Sequence, residues 1–119
     1  MKTLIHIVGN RPQFVKLAVL YKHIAQAGNI QQEILHTGQH FSDNMSSVFF
    51  EELHIPAPKH NFNIQAATQN IFIANATDAL EQYFNTNKNI VALVYGDTNT
   101  TLAAAIAAKR TNRSGRAHV

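Results

Sequence analysis

Apolar residues along this chain recur in two alternating periods, one suited to strands and one to helices. Leu4-Ile5-His6-Ile7-Val8 is a β-branched-rich run closed by Gly9, the pattern of a buried parallel strand. Pro12 then stands where the first turn of a helix accepts it, because the N–H it lacks has no partner there. Phe14, Leu17, Leu20, Tyr21 and Ile24 follow at helical spacing, and Gly28 supplies a stop. A second strand is predicted around Glu33-Ile34-Leu35-His36. After it comes a helix capped by Ser42 or Asp43, with Met45, Val48, Phe49 and Leu53 on its buried face. Pro56 and Pro58 end that helix and force an extended segment through Asn63 that accommodates a short strand. A long third helix is predicted from about Ala66 to Phe84, burying Ile73, Ala76, Leu80 and Phe84. Ile90-Val91-Ala92-Leu93-Val94-Tyr95 is the clearest buried strand; Gly96-Asp97-Thr98 turns it sharply into an alanine-rich helix, Thr100 to Arg110. Ala117-His118-Val119 reads as the beginning of a further strand that continues past the terminus.

Strands and helices alternate without an internal repeat, a low-complexity tract or a linker. This order predicts the α/β class, a Rossmann-like parallel sheet with flanking helices, forming a single domain over residues 1–119.

Composition narrows the possibilities. A chain of 119 residues that is 45% hydrophobic suits one modest core. Cysteine is absent, which excludes disulfides and thiolate metal sites and makes a cytoplasmic, reducing compartment the simplest expectation. The apolar run before Gly9 is too brief for a signal-peptide core, and Leu102 to Ala108 falls far short of the ~20 residues needed to cross a bilayer. No membrane association is expected. The formal charge is +3, but four of the ten basic residues (Lys109, Arg110, Arg113, Arg116) crowd the last eleven positions. The rest of the chain is nearly balanced and has no basic stripe interleaved with aromatics, so nucleic acid is not an expected partner.

Ligands of an open parallel sheet bind outside the carboxyl ends of its strands, where helix amino termini direct partial positive charge. Three predicted strand ends carry polar residues: Gly9-Asn10-Arg11-Pro12 with Lys16 beyond, Thr37-Gly38-Gln39-His40, and Gly96-Asp97-Thr98-Asn99-Thr100-Thr101. The first unites a guanidinium, an ammonium and a helix start, which together suit a phosphate or other anion. Each feature also has a plainer reading. Arg11 and Lys16 are ordinary solvated residues beside a helix start, Asp97 is a good helix cap, and the threonines suit local hydrogen bonding in a first turn. Neither a Walker loop nor a GxGxxG fingerprint is present, so no motif calls for ATP or NAD. His36 and His40 straddle a strand end instead of sharing a helix face and no HExxH occurs, so no metal is expected. His6, inside a strand, is read as a core residue.

Four segments taken together resemble one family. They are Gly9-Asn10-Arg11-Pro12-Gln13-Phe14-Val15-Lys16, Thr37-Gly38-Gln39-His40, Asn44-Met45-Ser46 through Phe49-Phe50-Glu51-Glu52-Leu53 with Ile55-Pro56, and Gly96-Asp97-Thr98-Asn99-Thr100-Thr101. In that order and at those intervals they are similar to the non-hydrolysing UDP-N-acetylglucosamine 2-epimerases, over essentially the whole chain.

The resemblance implies the amino-terminal half of a glycosyltransferase-B-like fold, in which two Rossmann-like domains enclose a nucleotide-sugar cleft; the carboxyl-terminal domain is not in this sequence. It also implies interconversion of UDP-N-acetylglucosamine and UDP-N-acetylmannosamine by elimination and re-addition of UDP, without a cofactor, in the making of cell-surface polysaccharides. By similarity Asp97 belongs to the catalytic carboxylates, Arg11, Lys16 and His118 bind substrate, and Gln39 and His40 match a second, activating UDP-sugar site. A homodimer is expected. Asn10 stands where threonine is common in the family, Gln13 where glutamate is common, and Asn99 interrupts a threonine run, which leaves the choice of UDP-sugar open. Ser42 stands where some members have a glutamine linked with the activating site. Members continue past the position of Val119 with Glu-Ala-Gly, and that glutamate belongs to the catalytic set, so this chain is expected to be inactive by itself. Two other classes remain open: the amino-terminal domain of a glycosyltransferase of the same fold, and a non-catalytic nucleotide-sugar-binding module.

Overall fold

A computed structural model describes residues 3–38, 47–86, 89–96, 98–111 and 117–118, the last pair by backbone alone. Among the described residues five strands and four helices alternate: β1 (Thr3–Val8), α1 (Arg11–Ala27), β2 (Gln31–His36), α2 (Ser47–Leu53), β3 (His60–Asn61), α3 (Gln69–Thr86), β4 (Ile90–Val94), α4 (Asn99–Arg110) and β5 (Ala117–His118). The strands form one sheet in the order β3-β2-β1-β4-β5, and every pairing is parallel. This is the α/β class expected, and the strand order is that of the doubly wound Rossmann pattern. β1 lies at the centre, pairing Thr3 with Gln31 through Val8 with His36 on one side and Thr3 with Ile90 through Ile7 with Val94 on the other.

Alternation along the central strands divides the core into two layers. Ile5, Ile7, Leu35, Ala92 and Val94 face Leu80 and Phe84 of α3 and Ala104, Ala107 and Ala108 of α4. On the other face Val8, Ile34, Leu93 and Tyr95 pack against Phe14, Leu17 and Ala18 of α1, with Phe50 and Ile55. The alanines of α4 let that helix lie close, and α3 packs beside it through Phe72, Ala76 and Ala103.

The ends of α1 follow its sequence. Asn10 caps it, accepting from the Gln13 N–H, Pro12 occupies the first turn, and Gly28 closes it in the left-handed conformation at φ 79°. Two expected helix faces are corrected. On α2 the buried residue is Phe50, while Val48 is 55% exposed; two residues of helix separate them by about 200°. Phe50 is chosen because its ring meets Phe14, 5.5 Å away between centroids. On α3 the stripe is Phe72, Ala76, Leu80 and Phe84, with Ile73 only partly buried. That helix begins at Gln69 and not at Ala66 because Thr68 caps it, its hydroxyl accepting from the Ile71 N–H at 3.1 Å. Ser42, Asp43 and Met45 lie outside the described residues.

Candidate functional site

The order of the sheet reverses between β1 and β4, and the turns leaving these two strands form the walls of the crevice where α/β sheets bind ligands. One wall is Gly9, Asn10 and the start of α1; the other is Tyr95, Gly96 and the start of α4. Two helix amino termini therefore converge on one place. Neither α1 nor α4 has an acidic residue in its first turn, so no carboxylate there competes with an incoming anion for the N–H groups.

A buried amide joins the walls. Gln13, 4% exposed, accepts from the Gly9 N–H at 2.7 Å through Oε1. Its Nε2 donates to the Tyr95 carbonyl at 2.6 Å and to Thr98 Oγ1 at 2.9 Å. Thr98, not Asp97, is the cap of α4, its hydroxyl accepting from the Thr101 N–H. Thr101 Oγ1 in turn donates to the Tyr95 carbonyl at 2.9 Å, so that oxygen receives two hydrogen bonds. The end of β2 is tied to the same helix, since Thr37 and Thr100, both fully buried, share a hydroxyl–hydroxyl bond of 3.0 Å.

Beneath this floor runs a polar chain inside the core. His6 Nε2 lies 2.7 Å from Gln32 Oε1 and Nδ1 lies 2.6 Å from Tyr95 Oη. An amide oxygen only accepts, so the imidazole proton is assigned to Nε2 and Tyr95 donates its hydroxyl hydrogen to Nδ1. Burial lowers the His6 pKa from its ordinary value, opposed by the bond to Gln32, and burial raises that of Tyr95. Both groups are thus held neutral. His6 is the core residue anticipated for it.

Arg11, at the first position of α1, is exposed, and its guanidinium lies 4.2 Å from the centroid of the Phe49 ring on α2. This is a cation–π pair, and a guanidinium is the cation whose geometry best matches an oxyanion. Lys16 is exposed on the second turn. Five residues of helix turn it about 140° from Arg11, though helix side chains lean back toward the amino terminus. The backbone of His118 pairs with Val94 in β5, beside the crevice; its side chain, like Asp97, Gln39 and His40, lies outside the described residues. Among the described residues no group of three or more histidine or acidic side chains is placed to hold a metal, and no helix is long and apolar enough to cross a membrane.

Gln13, Thr98 and the Thr37–Thr100 pair escape a reading of the sequence as site residues. One signal for Gln13 was present: Asn10 followed three residues later by glutamine has the form of a capping box. Its side chain reaches the N–H one residue before the cap, and spends its own N–H groups on Tyr95 and Thr98 in the turn after β4, 82 and 85 residues away.

Comparison with known proteins gives this arrangement relatives. The family model described as UDP-N-acetylglucosamine 2-epimerase matches residues 22–119. The chain is 42% identical over 104 residues, 87% of its length, to the UDP-2,3-diacetamido-2,3-dideoxy-D-glucuronate 2-epimerase of Pseudomonas aeruginosa, covering 29% of that protein. It is 39% identical, again over 87% of its length, to the UDP-N-acetylglucosamine 2-epimerase of Methanocaldococcus jannaschii, covering 28% of it. The crystal structure of the M. jannaschii enzyme in complex with UDP-GlcNAc and UDP superposes on the whole of this chain with a TM-score of 0.88 at 39% identity, and 32% of that structure is covered. The chain thus spans less than a third of the length of these relatives.

Proposed function

Because the chain belongs to the UDP-N-acetylglucosamine 2-epimerase family, we propose that it supplies the amino-terminal, Rossmann-like domain of an isomerase that inverts C2 of a UDP-sugar. The observation that carries this reading is the crevice itself: two helix amino termini, free of acidic residues in their first turns, clasped together where the sheet reverses.

The chemistry fits these walls. Breaking the anomeric C–O bond to release UDP leaves negative charge on the diphosphate, which preorganised N–H groups and cations stabilise. Moving the C2 proton needs a base against the sugar ring. We assign the first task to the start of α1 with Arg11 and Lys16, the second to Asp97 as one member of a carboxylate set, and a further substrate contact to His118. Gln39 and His40 are proposed for an activating UDP-sugar site. The reaction is proposed to run without a cofactor, in the cytoplasm, in the service of cell-surface polysaccharide synthesis. Residues 1–119, under a third of the length of these relatives, are proposed to be a truncated first domain of two, and this stretch by itself is expected not to turn over UDP-N-acetylglucosamine. Exposed apolar pairs one helical turn apart, Val15 with Val19 on α1 and Leu102 with Ile106 on α4, support a homodimeric assembly.

The decisive experiment grafts residues 1–119 in place of the matching segment of the M. jannaschii enzyme. Interconversion of UDP-N-acetylglucosamine and UDP-N-acetylmannosamine by the graft is expected, with a loss of at least about a hundredfold in Asp97→Asn. An inactive but folded graft that still binds UDP favours a binding module. Turnover only in the presence of an acceptor favours a glycosyltransferase.

A further inference from the structure

We propose that Gln13 is a positioning residue of the crevice, whose side-chain amide clasps the β1–α1 turn to the β4–α4 turn. The proposal rests on the reading that this crevice holds the diphosphate of UDP.

All three hydrogen-bonding positions that a terminal amide needs for such a clasp are in use. Oε1 takes the Gly9 N–H at 2.7 Å, and the two hydrogens of Nε2 go to the Tyr95 carbonyl at 2.6 Å and to Thr98 Oγ1 at 2.9 Å. The two turns lie on adjacent strands but 82 and 85 residues apart along the chain. Gln13 is itself set by its own N–H, which donates to the capping Asn10 Oδ1 at 3.0 Å. The amide also orients Thr98. With Gln13 Nε2 and the Thr101 N–H both donating to Oγ1, the hydroxyl hydrogen of Thr98 is left as a donor at the start of α4.

A side chain that hydrogen-bonds to both turns closes the clasp. Methionine has the length but neither function. Glutamate has the shape, keeps an acceptor for the Gly9 N–H and offers a second to the Thr98 hydroxyl; it loses only the donation to the Tyr95 carbonyl, which Thr101 Oγ1 still serves.

The test is titration of the purified chain with UDP across a range of pH, alongside Gln13→Met and Gln13→Glu, each dissociation constant being divided by that of the unmutated chain at the same pH. The division cancels titration of the ligand and of the histidines. Gln13→Met is expected to bind about tenfold more weakly at every pH. Gln13→Glu, which keeps a bond to each turn, is expected to stay within about threefold of the unmutated chain. Hydrogen exchange supplies a reading that needs no ligand: the Gly9 N–H loses protection in Gln13→Met and keeps it in Gln13→Glu. Unchanged UDP affinity in Gln13→Met, a loss in Gln13→Glu as large as that in Gln13→Met, or unchanged Gly9 protection in Gln13→Met overturns the clasp while leaving the assignment of the crevice intact. Failure of the unmutated chain to bind UDP overturns that assignment, and the role of the clasp with it.

Discussion

A methyl group at position 38 would meet the Asn63 backbone, with Cα 2.7 Å and N 3.0 Å from the added carbon, on a residue already at φ +83°. Gly38 closes β2 at the rim of the site, so Gly38→Ala combines a left-handed backbone with a collision against main chain. A loss of roughly 2 kcal/mol or more is expected, measured as a lowered denaturant midpoint at unchanged slope. His6 makes a different residue-scale prediction. Its folded pKa lies below the ordinary 6.5, so below pH 6.5 the unfolded chain binds the extra proton and the native chain resists it. The stability tied to neutral His6 is whole above 6.5 and is lost progressively as pH falls below that value. In His6→Gln, unfolding free energy should fall less steeply with acid than in the unmutated chain; parallel profiles would refute the assignment. That His6 belongs to the core was legible from its place in an apolar run. Its partners were not, because Gln32 and Tyr95 stand 26 and 89 residues away and no local pattern encodes such a pairing.

Elements were legible where period and punctuation agree. β1, α1 and β4 follow from a β-branched run, a stripe with Pro12 at its head and Gly28 at its foot, and a second apolar run ending at a glycine. The faces of α2 and α3 were less so. In a helix of seven residues, such as α2, period barely separates one face from another, and the aromatic contact of Phe50 with Phe14 decides. Asp97 looked like the cap of α4, but Thr98 takes that place because its hydroxyl serves Gln13 and Thr101 together. The junction of β2 with α4 gives an element-scale prediction. Thr37→Val or Thr100→Val alone removes one end of a buried hydroxyl–hydroxyl bond and should cost about 1–3 kcal/mol, whereas the double variant should cost clearly less than the sum. Strict additivity in a double-mutant cycle would show that the two elements are not coupled through this bond.

Over the whole molecule, alternation of strand and helix announced a parallel sheet, and the order β3-β2-β1-β4-β5 then fixes which turns share the crevice. Strand order is not written in any local window, which is why the turns after β1 and β4 look in sequence like separate polar strand ends and no local pattern marks the amide that unites them. The whole-molecule arrangement of the tyrosines carries one more consequence. The chain contains three tyrosines and no tryptophan. Tyr95 donates its phenolic hydrogen to His6, and Tyr83 donates its own to the Glu33 carboxylate at 2.7 Å. Phenols bonded to a proton acceptor fluoresce weakly, because the excited ring gives up its proton or its energy to the partner. The folded molecule is therefore optically dim, with two of its three emitters quenched by the bonds that hold β1 to β4 and α3 to β2. Loss of those bonds brightens it, so the native intensity reports, without any label, whether the polar chain beneath the crevice is intact.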